Sequence, residues 1–329
     1  MKKRALAIAA TLVTASPLLG GCGLIGGPDL VIYNAQHEEL MAEIVPIFAE
    51  ETGLDVELRN GKDLELANQL VAEGEESPAD VFLTENSPAM SIVDNEGLFT
   101  KVSDEALDNI PGEYVPSSQN WTGILARSTV VMYNTDQATA DDMPDSILDF
   151  AEPEWEGRIS FSPTGADFQA IVSAVLQSEG EDATREWLEG LAANGEELQN
   201  NLVVMQAVNA GDLEAGIAYH YYWYRDRQES GADSDSSDLY FFGDQDPGAF
   251  VSISGAGVLA SSEHQSDAQR FVEFLTSTDG QQAMASSYAL EYPLNPDVKP
   301  FDELEPPTVD VSSLNGPQVT ELMTEAGLL

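Results

Sequence analysis

The chain has 329 residues, with 58 acidic side chains against 13 basic ones and a formal net charge of -45. Its length accommodates one large or two ordinary domains, and 43% hydrophobic residues exclude a wholly disordered chain. The charge excludes nucleic acid and anionic lipid headgroups as partners, attracts cations at long range, and suits a protein that stays hydrated in a salty medium.

The first element is a targeting segment. "MKKR" is a basic start, "ALAIAATLVTASPLL" an apolar run broken by small polar residues, and "LGGC" leads to Cys22. The run is too short and too interrupted to read as a membrane span. The pattern resembles a bacterial lipoprotein signal, so residues 1–28 are expected to be leader and tether, with Cys22 the lipidated N-terminus after cleavage. The alternative is an ordinary signal peptide with a chance cysteine. Either way the mature chain is expected outside the cytoplasmic membrane, in the first case held to its outer face by lipid. Cys22 is the only cysteine, so no intramolecular disulfide forms.

From Asp29 the pattern is α/β. "DLVIYNA" reads as a buried strand, and "HEELMAEIVPIFAEETG" as a helix with Leu40, Ile44, Ile47 and Phe48 at helical spacing and Gly53 as its stop. "LDVELRNG", "DLELANQLVAEGEES" and "ADVFLTEN" continue as strand, helix and strand, an order that predicts parallel pairing through crossover helices. Ligands in such sheets sit at the carboxyl ends of strands, here "YNAQH" and "LTEN". "TGILARSTVVMYNT" and "DPGAFVSISGAGVLA" are extended segments suited to crossing between two lobes. Between them, "GRISFSPTGADFQAIVSAVLQ" predicts a strand, a loop and a helix from about Asp167, and "NLVVMQAVNAG" a further helix. "QSDAQRFVEFLTSTDGQQAMASS" reads as one amphipathic helix, and "ESGADSDSSD" as a surface loop.

Catalytic signatures are scarce. His37, His220 and His264 are the only histidines, "HEELM" has no second one, and no nucleophile elbow, phosphate loop or dinucleotide fingerprint occurs. This favours binding over turnover. "AYHYYWYR", Ala218 to Arg225, concentrates aromatic rings at the carboxyl end of a predicted strand. If the strand continues, Tyr219, Tyr221 and Trp223 share one face, and His220, Tyr222 and Tyr224 the other. The segment then reads either as a strand buried on both faces or as a hard-cation site, because oxygen donors suit hard ions. A phenol must lose its proton to bind, which favours Fe3+ over Ca2+ or Mg2+.

"IYNAQHEE", "SPADVFLTEN", "SPTGADF", "NNLVVMQAVNAGDLEAGIAYHYYWYR", "FFGDQDPGAFVSISGAGVL" and "LEYPLNPDV" together resemble the ferric-ion-binding proteins of bacterial iron ABC importers. These belong to the periplasmic-binding-protein superfamily, and the resemblance covers the chain from residue 29 onward. It implies an α/β, two-lobed fold of type II with mixed sheets, crossover helices and the ligand in the interlobe cleft. The lobes expected are 29–125 plus 252–300, and 126–251 plus 301–329. By the same resemblance the metal ligands fall on His37, Glu85, Tyr221 and Tyr222. A synergistic anion, phosphate or carbonate, falls on Asn86, Thr164, Gly165, Ala166 and Asn201, with Thr164 to Ala166 just before a helix whose dipole favours anions.

Better-known relatives carry an asparagine pair where this chain has Tyr219 and His220, which adds both as possible ligands. Arg127 is a further candidate for pairing with a site anion. The implied partners are an ABC permease and its ATPase, with the receptor acting as a monomer and not an enzyme. Receptors for a polyamine, a small anion or a ferric chelate, and a surface hydrolase or lyase using His37 and Glu85, are the alternatives.

Overall fold

A computed structural model describes residues 27–230, 233–287, 290–299 and 307–329. Cys22 and the leader before it lie outside the described residues. The chain folds into an α/β assembly of two lobes that share one long strand.

The first lobe opens as expected: β1 (Leu30–Ala35), α1 (Glu38–Thr52), β2 (Val56–Asn60), α2 (Asp63–Glu73), β3 (Val81–Thr84), then α3 (Ser87–Asn95) and the short α4 (Asp104–Asp108). β1 pairs in parallel with both β2 and β3, which puts the residues after β1 and β3 side by side at one end of the sheet. Gly53 closes α1 in the left-handed region at φ 76°, a conformation that suits glycine. The face of α1 differs from the spacing in one respect. Leu40, Met41, Ile44, Val45 and Phe48 are buried, whereas Ile47 is turned outward.

β4 (Trp121–Asn134) is buried along all fourteen residues. Trp121 to Ser128 pair antiparallel with a later strand of the first lobe, and Thr129 to Tyr133 pair with a strand of the second. The second lobe comprises β5 (Ile159–Phe161), α5 (Ala166–Glu179), α6 (Glu181–Asn194), β6 (Glu196–Glu197), α7 (Asn201–Ala210), β7 (Ala215–Tyr219), α8 (His220–Ser230) and β8 (Ser237–Tyr240). β9 (Val251–Val258) carries the chain back to pair with β3 and β4. It is followed by α9 (Gln265–Thr276), α10 (Thr278–Ala285), β10 (Tyr292–Pro293) and α11 (Pro317–Glu325). The strand order is β2-β1-β3-β9-β4-β7-β5-β6, with β8 and β10 also on β4.

One expectation is corrected, and the open question of whether the aromatic run continues as a strand is answered. The amphipathic run after residue 264 is two helices, because the Ser277 hydroxyl accepts from the Gly280 N–H and caps a new helix there. The aromatic run leaves the strand at Tyr219, and α8 begins at His220, so the two-face alternation stops before Tyr221.

The cores follow the lobes. Leu30, Ile44, Phe48, Val81, Phe271 and Leu275 pack on one face of the first sheet, while Tyr33, Phe82, Met90, Trp121 and Ile253 pack on the other. Phe150, Phe161, Phe168, Trp187 and Leu322 anchor the second lobe. β9 lies close under this packing: a Cβ on Gly255 would meet Met90 Cγ at 2.5 Å, and one on Gly257 would meet Phe99 Cε1 at 2.6 Å. The SGAG segment is thus a close-packed strand.

Candidate metal centre between the lobes

Strand ends and helix starts deliver the polar groups. His37 stands at the N-terminus of α1, directly after β1, with its own N–H held by Gln36 Oε1 at 2.7 Å. Glu85 and Asn86 follow β3, and Asp63 at the start of α2 accepts from both of their backbone N–H groups, at 3.0 and 3.1 Å. Burial, reinforced by the Glu85 charge, pushes the Asp63 carboxyl up to about 7. From the other lobe, α8 presents Tyr221 and Tyr222 with their rings stacked, centroids 4.2 Å apart and planes 29° from parallel. The Tyr221 and His37 rings meet across the cleft at 5.6 Å.

His37 Nε2 lies 3.8 Å from Glu85 Oε1 and 3.4 Å from Glu291 Oε1. The Glu291 contact is close without being an aligned hydrogen bond, and both of its atoms are buried with no hydrogen-bond partner. Glu291 is held from behind by the Ser254 hydroxyl, which donates to Oε2 at 3.1 Å. Burial raises its carboxyl above the usual range against the pull of Arg127 and His37.

Arg127 occupies the floor. It is wholly buried, donates through Nη1 to Glu85 Oε1 at 2.6 Å and through Nη2 to Asn86 Oδ1 at 3.0 Å, and also bonds the Glu85 carbonyl. Burial works against its charge, but Glu85, Glu291 and Asp167 hold it protonated, above the ordinary arginine range. Its guanidinium carbon lies 5.5 Å from the centroid of the Tyr219 ring.

Thr164, Gly165 and Ala166 lead into α5 and line a cavity of about 560 Å³ together with Asn86, Asn201 and Tyr222. The Ser162 hydroxyl beside them is buried and unpartnered. Asp167, in the first turn of α5, enters the same cavity: Oδ2 accepts from Asn201 Nδ2 at 2.8 Å and from the Tyr222 hydroxyl at 3.3 Å. Burial lifts this carboxyl to about 6 despite the attraction of Arg127. Burial, aided by the nearby Asp167 charge, also holds the Tyr221 and Tyr222 phenols above their ordinary value, so both keep their protons at neutral pH.

The structure therefore gathers His37, Glu85, Tyr221 and Tyr222 at the lobe boundary, with Asn86, Thr164, Gly165, Ala166 and Asn201 beside them. Tyr219 and His220 point elsewhere. The Tyr219 hydroxyl donates to the Asp167 carbonyl at 3.3 Å, and both His220 ring nitrogens lie on backbone groups. Burial pushes His220 down to about 3. Asp63, Asp167 and Glu291 are functional candidates that residue spacing does not single out. Such an oxygen-rich set with a single imidazole suits a hard, highly charged cation.

Residues 76–311 match the family model for bacterial extracellular solute-binding proteins. The chain is 48% identical to the Fe(3+)-binding periplasmic protein of Serratia marcescens, over the whole of both chains. It is 35% identical to the major ferric iron-binding protein of Neisseria meningitidis serogroup B, over 98% of this chain and 97% of that one. Among solved structures, iron-bound HitA from Pseudomonas aeruginosa superposes with a TM-score of 0.82 at 38% identity, covering 91% of this chain and 99% of the other. The FutA protein of Trichodesmium in complex with iron and citrate gives 0.84 at 26% identity, with coverage of 91% and 99%.

Proposed function

The chain belongs to the bacterial extracellular solute-binding proteins and, within them, to the ferric-ion-binding proteins, and from that premise we propose that it captures Fe3+ between its lobes for uptake by an ABC importer. The observation that carries the reading is the stacked Tyr221–Tyr222 pair facing His37, with Glu85 on the same side of the cleft. In this reading the two phenolates, His37 and Glu85 are the ligands. Asn86, Thr164, Gly165, Ala166 and Asn201 hold a phosphate or carbonate. Asp167 is added as a further candidate ligand for the cation, because its carboxylate already accepts a hydrogen bond from Tyr222. The lobes are read as 29–125 plus 252–300 and 126–251 plus 301–329. Hinge motion about β4 and β9 opens and closes the cleft. Lipid on Cys22 anchors the receptor, a monomer, to the outer face of the membrane, where an ABC permease and its ATPase receive the ion.

Ferric salt added to the purified protein is expected to produce a visible tyrosinate-to-iron band and to release about two protons per ion, one from each phenol. Affinity then rises with pH, because each phenol must be deprotonated to bind. Tyr221→Phe and Tyr222→Phe are each expected to weaken binding at least a hundredfold. A colourless mixture with an unchanged melting temperature refutes the reading. Silent tyrosine variants would point to an organic cation held by the rings.

A second reading, a ferric chelate as cargo, is favoured by the cavity of about 560 Å³ beside Tyr222, which exceeds the needs of a bare ion. Retention of chelator with the iron after gel filtration distinguishes it.

A further inference from the structure

His220 opens α8 directly before the tyrosine pair and is wholly buried, yet it binds backbone rather than facing the cleft. Its Nδ1 accepts from the Ser128 N–H at 3.1 Å, and its Nε2 lies 3.0 Å from the Leu290 carbonyl oxygen. An N–H only donates and a carbonyl only accepts, so these partners fix the neutral tautomer with its proton on Nε2.

The two partners belong to separate parts of the molecule. Ser128 is the last β4 residue paired with β9, immediately before β4 turns to β7 at Thr129. Leu290 precedes β10, and Tyr292 and Leu294 pack in the first lobe's core with Tyr33 and Phe82. The His220 ring also lies on Tyr292, with centroids 4.3 Å apart. Leu290 holds a φ of 54°, a left-handed backbone that a leucine does not adopt without support. The His220 ring bonds the carbonyl of this residue. The next residue is Glu291, whose Oε1 faces His37 Nε2 at 3.4 Å. His37 in turn meets the Tyr221 ring at 5.6 Å, and Tyr221 is the neighbour of His220. The contacts close into a circuit that passes twice between the lobes.

We propose that His220 is a positioning residue that ties the tyrosine helix to the Leu290 backbone, aims Glu291 at His37, and so fixes the separation of the ligand groups from the two lobes. The inference rests on the reading of His37, Tyr221 and Tyr222 as iron ligands. A histidine with only a packing role would satisfy its ring within its own lobe. This one bonds the crossing strand and the Leu290 carbonyl of the opposite lobe.

The test uses the full mature protein and ferric nitrilotriacetate as the iron source, with release into excess EDTA followed in the visible band. His220→Gln retains an N–H near the Nε2 position, His220→Asn is too short to reach Leu290, and His220→Phe keeps a ring with neither bond. Wild type and His220→Gln are expected to release iron at rates within threefold of each other. His220→Asn and His220→Phe are expected to release it at least tenfold faster, with the band maximum unchanged because both phenolates still bind. Glu291→Gln is expected to act alike, and its double variant with His220→Asn to be no faster than either single one.

Equal release from all folded variants, additive acceleration in the double variant, or a displaced band in His220→Gln would overturn the proposal; the last would make His220 a ligand. Should His220→Phe fail to fold, the Asn and Gln pair decides. Amide exchange at Glu291 and Tyr292 in the iron-free protein reads the same tie without iron, faster in His220→Asn and unchanged in His220→Gln. A wild type that takes up no iron refutes the proposed function and leaves that exchange result to judge the tie.

Discussion

Arg127 sits among Glu85, Asp167 and Glu291 as a buried counter-charge, and this shapes what its loss would do. Arg127→Met leaves the carboxylates uncompensated, and removing one partner of a buried pair costs roughly 3–5 kcal/mol. The iron-free variant is expected to melt well below wild type, and the gain in melting temperature on adding iron to be larger, since the ion restores the missing positive charge.

His220 gives a pH signature. Its folded value near 3 lies below the unfolded value of about 6.5, so the folded state binds fewer protons between them. Stability from this residue is lost as pH falls through that window, by at most about 1.4 kcal/mol per pH unit. Asp63 and Asp167, raised to about 7 and about 6, act the other way and stabilise the fold as pH falls towards their unfolded values near 4. Urea unfolding of iron-free His220→Gln is therefore expected to show stability rising from pH 7 to pH 4.5 more steeply than in wild type.

At this scale the sequence, read through its family resemblance, pointed to His37, Glu85, Tyr221 and Tyr222, and the fold brings these four to the lobe boundary. The sequence did not show Asp167 or Glu291. A carboxylate in a helix's first turn reads as a response to the dipole, and Glu291 reaches His37 from 254 positions away, a juxtaposition that local pattern cannot encode.

The helices and strands were legible where the apolar period was clear, as in the alternating first lobe and in the two long extended segments that became β4 and β9. α8 was not legible as a helix. Tyrosine and tryptophan favour strands, and burial from several sides leaves no apolar stripe to mark a helical period. Packing of Trp223 against Met132 and Ala218, and of Tyr221 against the second lobe's main core, overrides that preference. The break between α9 and α10 was also hidden, since Ser277 and Gly280 interrupt an otherwise continuous amphipathic pattern. The structure supplies the reason for the glycine: a Cβ at Gly280 would run into the Phe274 carbonyl oxygen, a backbone atom with little freedom to move. Gly280→Ala is expected to cost roughly 1–3 kcal/mol, measured as a lower urea midpoint with an unchanged slope.

Over the whole molecule, the net charge of -45 produces self-repulsion that salt relieves. The Debye length falls from roughly 10 Å at 0.1 M to roughly 3 Å at 1 M. The melting temperature of the iron-free protein is expected to rise over that range of sodium chloride, and a flat or falling curve would count against repulsion as the dominant surface term. β4 carries a further consequence for the molecule's integrity. Its first half is a rung of one sheet and its second half a rung of the other, and all of it is buried. Neither lobe can melt without withdrawing a core strand from its neighbour, so the pair forms a single cooperative unit. Calorimetry should record one heat-absorption peak, with equal van't Hoff and calorimetric enthalpies, from a body that looks divided in two.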